Sequence, residues 1–69
     1  MRDIHRIEVF CNDLKRVWRK LPDWRFMQLM SNFFAYSFEK GLDPFFMEED
    51  KAISRLDEYV KLMAGEEQE

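Results

Sequence analysis

The sequence predicts an all-α fold, a compact three-helix bundle in which a central apolar helix 2 is packed by helices 1 and 3. Three observations predict it. Apolar residues recur at steps of three and four in three separate segments, the spacing of one helix face. No run of β-branched residues alternates with polar ones as a strand would. Glycine and proline are scarce, and three of Pro22, Gly41, Pro44 and Gly65 fall where the apolar pattern breaks.

Helix 1 is expected over about residues 3–20. Ile4, Ile7, Phe10, Cys11, Leu14, Val17, Trp18 and Leu21 lie on one broad face, and Val9 on the opposite side. Lys15, Arg16, Arg19 and Lys20 crowd its last turns, where cations suit the helix dipole. Pro22 ends the helix and restricts Leu21 before it. Asp23 is placed to cap the next helix. So short a link makes helices 1 and 2 antiparallel neighbours.

Helix 2 is expected from about Trp24 to Lys40, with Gly41 as a left-handed stop. Arg25, Gln28, Asn32, Ala35 and Glu39 form one narrow strip at about 100° per residue. Phe26, Met27, Leu29, Met30, Phe33, Phe34, Tyr36 and Phe38 occupy most of the remaining circumference. A helix this apolar needs cover on more than one side, which makes it the central one.

Asp43-Pro44 signals a turn or a helix start. Helix 3 begins either at Pro44 or near Glu48. The later start is preferred, because Glu48, Glu49 and Asp50 suit the positive end of a helix dipole. Phe45 and Phe46 would then plug the open end of the core. Helix 3 runs on to about Met63 through Ala52, Ile53, Leu56, Tyr59 and Val60. Residues 1–64 read as a single three-helix domain and residues 65–69 as a disordered acidic tail.

The 69 residues allow one domain at most. A chain of this size hides only about 60% of its unfolded surface. Its core supplies about 3–5 kcal/mol unless stapled. Cys11 is the only cysteine, so no internal disulfide is available, and a lone thiol points to a cytoplasmic protein. The opening MRDIHRIEVF has no apolar run of the kind a signal peptide needs. The uncharged stretch from Phe26 to Phe38 is too short to span a bilayer, so no membrane partner is expected.

The net charge of −3 is unevenly placed. Residues 1–25 carry +3 and residues 26–69 carry −6. Overall acidity counts against nonspecific nucleic-acid binding. The alternative contact would be Lys15, Arg16, Arg19 and Lys20, with Arg25 nearby and Trp18 and Trp24 interleaved to stack a base. A helix-turn-helix reading suffers because helix 2 is too apolar for a groove and helix 3 carries five acids.

No catalytic and no metal-ligating set is assigned, and no cofactor is expected. His5 and Cys11 project about 120° apart on helix 1, and no second histidine or cysteine completes a pair. Cys11 reads as core and His5 as exposed. The acids at 48–50 lack the spacing and glycine of a calcium loop and read as a solvated helix start. Arg25 sits against the dipole of helix 2 and is expected to pair with Asp23 or an acid of helix 3.

The apolar excess is the best lead to function. Either three helices bury all of it, or Trp24, Met27, Phe34 and Phe38, on one side of helix 2, stay partly open as an interface. Arg25 and Gln28 would then set its register. The partner would be another protein or a second copy of the chain, since a homodimer also supports a thin core.

The stretch VWRKLPDWRFMQLMSNFF followed by DPFFMEED resembles a family of small uncharacterised proteins of Gram-positive bacteria, their phages and integrated mobile elements. The residues that carry the resemblance are Trp18, Lys20, Pro22-Asp23, Arg25-Phe26, Gln28-Leu29 and Asn32, then Asp43-Pro44-Phe45 and Glu49-Asp50. It covers about residues 4–63. It implies a small, cytoplasmic, helical protein without an assigned activity, and marks Trp24, Arg25, Gln28 and Asn32 as positions to test. Met27 and Met30 stand where the family pattern implies lighter residues.

Overall fold

Asp3 opens the first helix. Its Oδ1 accepts a hydrogen bond from the backbone N–H of His5 at 2.9 Å, satisfying a donor that a helix start leaves free. The computed structural model describes residues 2–65. It contains α1 (His5–Trp18), α2 (Phe26–Glu39), a single 3-10 turn (Pro44–Phe46) and α3 (Glu49–Ala64). No strand occurs among the described residues. The three-helix fold is therefore the one the spacing predicts, with each helix within about two residues of its expected ends.

The stops follow their residue chemistry. Gly41 adopts φ 77°, and the N–H groups of Gly41 and Leu42 bond back to the carbonyls of Phe38 (3.0 Å) and Ser37 (2.9 Å), which is a Schellman closure. Asp43 caps the 3-10 turn by accepting from Phe45 N–H at 3.0 Å. Helix α3 starts at Glu49, as the later-start reading expects. It closes on Gly65 at φ 79°. The remainder of the expected acidic tail, residues 66–69, lies outside the described residues.

One cap differs from expectation. Asp23 does not open α2, because the chain spends two more residues in the turn, where Trp24 N–H bonds to Leu21 C=O at 3.1 Å. Arg25 holds the N-cap position in extended backbone, and Gln28 Oε1 accepts from its N–H at 3.3 Å. A guanidinium offers no acceptor, so only this half of a capping box forms.

The core consists of Val17, Leu29, Phe33, Leu56, Tyr59 and Val60. Half of these lie on α3, and both α1 and α2 pack on it. The hub of the bundle is thus α3, where helix 2 was expected. Apolar bulk explains the shift. Large rings hold the α2 backbone at a distance, and α2 meets α1 through side chains such as Trp18 on Phe26, with ring centroids 5.5 Å apart. On α3 the buried Leu56, Tyr59 and Val60 lie within two turns and take the packing of both other helices.

Ion pairs fix the helix directions. Arg6, near the start of α1, reaches Glu49 at the start of α3 at 3.0 Å, and Lys20, just past the end of α1, reaches Asp57 midway along α3 at 3.2 Å, so α1 and α3 run parallel. Trp18, at the end of α1, meets Phe26, at the start of α2, across the short link. Asp57 also faces Arg16 at 3.9 Å and Lys61 at 3.5 Å.

Two expectations about α1 fail. Cys11, read as core, is exposed. Ile4 and Ile7 are also exposed. The apolar face of α1 extends past the groove that receives it, and only Leu14, Val17, Trp18 and Leu21 reach the core.

Candidate interaction surface

Helix α2 buries Leu29, Phe33 and Ser37, one residue per turn at intervals of four. That stripe faces α3, where Phe33 meets Tyr59 with ring centroids 6.2 Å apart. Burial raises the Tyr59 hydroxyl pKa above its ordinary value, and the neighbouring Tyr36 adds to the effect. Ser37 Oγ is buried without a hydrogen-bond partner. About 100° around the helix lie Met27, Phe34 and Phe38, at intervals of seven and four. Among the described residues no further helix covers them.

The Pro44–Phe46 turn continues this face. Phe34, Phe38, Asp43, Pro44 and Phe45 line a groove of about 290 Å³. The rings of Phe45 and Phe46 stand edge to face with centroids 4.9 Å apart. Fractional exposures are 71% for Met27, 43% for Phe34, 59% for Phe38, 83% for Phe45 and 76% for Phe46. Phe45 and Phe46 were expected to plug the core. They do not, because Met47 turns toward the core in their place and a three-residue turn cannot direct three consecutive side chains inward.

The structure separates the residues singled out from sequence. Met27, Phe34 and Phe38 share the open flank. Trp24 lies ahead of α2, half-buried against Tyr59 at 6.3 Å, with its carbonyl accepting from Trp18 Nε1 at 2.9 Å. Its place is the turn between α1 and α2 and not the flank. Gln28 is engaged at the cap and Arg25 beside it is exposed. The expected partner for Arg25 is not found, since it makes no ion pair among the described residues. Asn32 is exposed on the polar strip. Phe45 and Phe46 belong to the surface and were missed as site residues. Two adjacent phenylalanines directly after a proline turn were the available signal.

The basic cluster divides. Arg16 and Lys20 turn to Asp57, whereas Lys15 and Arg19 border a groove of about 400 Å³ that also includes Cys11, Leu14, Trp18 and Pro22. At the N-terminal end Arg2 binds Glu48. The hydrogen bond and then the charge of Arg2 lower the Glu48 carboxyl pKa. Among the described residues no group of three or more His, Cys, Asp or Glu is placed to hold a metal ion. No helix among them is long and apolar enough to cross a membrane.

Comparison of the chain with protein-family models, with curated proteins and with solved structures finds no match.

Proposed function

We propose that this chain is a cytoplasmic, non-enzymatic interaction module that docks on protein through the open flank of α2 and the Pro44–Phe46 turn. One observation carries the reading: Met27, Phe34, Phe38, Phe45 and Phe46 are all exposed on a folded domain, and Phe34, Phe38 and Phe45 line one groove. Large contiguous apolar patches of this kind mark interaction sites, and Phe and Met are the side chains that interfaces favour. Single exposed apolar residues such as Val9 need no such account. The lone thiol and the resemblance to small proteins of bacteria and mobile elements support a cytoplasmic accessory role.

The test is binding of a fluorescent apolar dye to the folded chain. The flank should bind it, and Phe45→Glu with Phe38→Glu should abolish binding while helicity stays unchanged. Absence of dye binding by the wild-type chain contradicts the reading.

A second reading keeps nucleic acid as the partner. It rests on Lys15 and Arg19 bordering an apolar groove beside Trp18, an arrangement suited to a phosphate and a stacked base. A salt-dependent shift of a labelled strand, lost on Lys15→Glu with Arg19→Glu, supports it. No shift at low salt removes it.

A further inference from the structure

The apolar flank carries two complementary shapes side by side. One is a projection, the edge-to-face rings of Phe45 and Phe46. It is held in position, because Pro44 restricts the backbone and Asp43 caps the turn. The other is the groove beside it, walled by Phe34, Phe38, Asp43 and Pro44 and by one side of Phe45 itself, with a volume of about 290 Å³. A dry cavity of about 150 Å³ accepts a benzene ring, so one phenylalanine side chain fits.

We infer that the occupant of this face is a second copy of the same chain, paired about a two-fold axis so that Phe45 of each copy enters the groove of the other, with Phe46 packing beside it. The inference rests on the interaction reading above and names its partner. An isologous interface needs a patch that complements itself under rotation. Projection and groove share Pro44 and Phe45, so an axis passing between them exchanges the two.

Area and charge agree with this pairing. At about 200 Å² per large side chain, the five exposed residues present about 650 Å² per chain. Two such faces remove about 1,300 Å², within the range of about 1,200–2,000 Å² that specific pairs bury. The edge beside Phe46 carries Asp43, Glu48 and Asp50 together with Lys51 and Arg55. Mixed signs allow a face to meet its own copy, whereas one sign alone would repel it. The preset turn also lowers the ordering cost of association.

Sedimentation equilibrium of the full chain, from micromolar to near-millimolar concentration, tests the pairing. The expected result is a monomer–dimer equilibrium. Phe45→Glu with Phe46→Glu should raise its dissociation constant by about a hundredfold or more, because each anchor acts twice in a two-fold interface. Both positions lie outside the core, so circular dichroism should show unchanged helicity. Val9→Glu, at an exposed apolar site on α1, should leave the dimer intact. A dimer indifferent to the Phe45 and Phe46 changes overturns the inference. A strict monomer that still binds apolar dye through Phe45 overturns self-pairing and retains docking on another protein. A strict monomer that binds no dye overturns both readings.

Discussion

The seam between α1 and α3 and the outer flank of α2 are built on opposite terms. At the seam, Val17, Leu56 and Val60 are closed from water, and Arg6, Arg16 and Lys20 bind Glu49 and Asp57 along the edge. On the flank, aromatic rings lie open, and among the described residues no ion pair ties α2 to either other helix. The difference has a physical origin. A seam edged with charge is solvated once it closes and has no further demand for a partner. A flank edged with rings stays unfavourably hydrated until something covers it. Under the proposed function, fold and interaction fall on different sides of one small domain.

Matched truncations on the two sides should separate them most strongly. Leu29→Ala, at a fully buried site, should cost about 2–5 kcal/mol, comparable with the whole stability of so small a domain. Thermal melting by circular dichroism should lose its cooperative transition. Phe45→Ala removes more atoms from the exposed turn, yet should change stability by no more than about 0.5 kcal/mol. Equal losses would erase the distinction.

Two changes of intermediate size sharpen it. Asp57→Ala should cost about 1 kcal/mol by removing a carboxylate that Arg16, Lys20 and Lys61 share at the seam, and added salt should shrink the difference. Ser37→Ala should raise stability by about 1 kcal/mol, because it deletes a buried hydroxyl with no partner and favours the helix. In denaturant titrations the two midpoints should move in opposite directions.

The smallest effects concern pH. The Tyr59 hydroxyl has a folded-state pKa above its unfolded value. Its contribution is therefore complete below the unfolded value of 10.0 and is lost as pH rises through the folded value. The Tyr59→Phe variant should lack this alkaline loss. Glu48 has the opposite sign: its folded-state pKa is lowered, so its contribution is present above the ordinary carboxylate value of 4.5 and is lost as pH falls through the folded value. Both groups of the Arg2–Glu48 pair are exposed, which makes the acid-side change slight.

Much of this division was legible in the residues. Spacing located three helices, Gly41 marked a left-handed closure, and the acids at 48–50 placed the start of α3. The grouping of Met27, Phe34 and Phe38 on one flank followed from periodicity alone. What periodicity does not give is how far a neighbour extends. Ile4, Ile7 and Cys11 share a face with Leu14 and Val17 but lie beyond the cover of the other helices. Nor does apolar content identify the hub. The rings that make α2 the most apolar helix are partly turned outward, while Leu56, Tyr59 and Val60 on α3 take the packing of both neighbours. Phe45 and Phe46 were assigned inward on composition, but the Asp43-capped turn directs Met47 inward instead. Trp24 was assigned to the flank on the assumption that α2 begins at 24, and the later start at Phe26 moved it into the turn.

The central claim is that the ring-lined flank makes contact with a partner while the charge-edged seam stays closed. Carbon–proton correlation spectra of the folded chain, recorded across a concentration series, test it directly. Signals of Met27, Phe34, Phe38, Phe45 and Phe46 should shift together with concentration, while those of Val17, Leu56 and Val60 stay fixed. Flank signals that ignore concentration, or shifts centred on the α1–α3 seam, would contradict it.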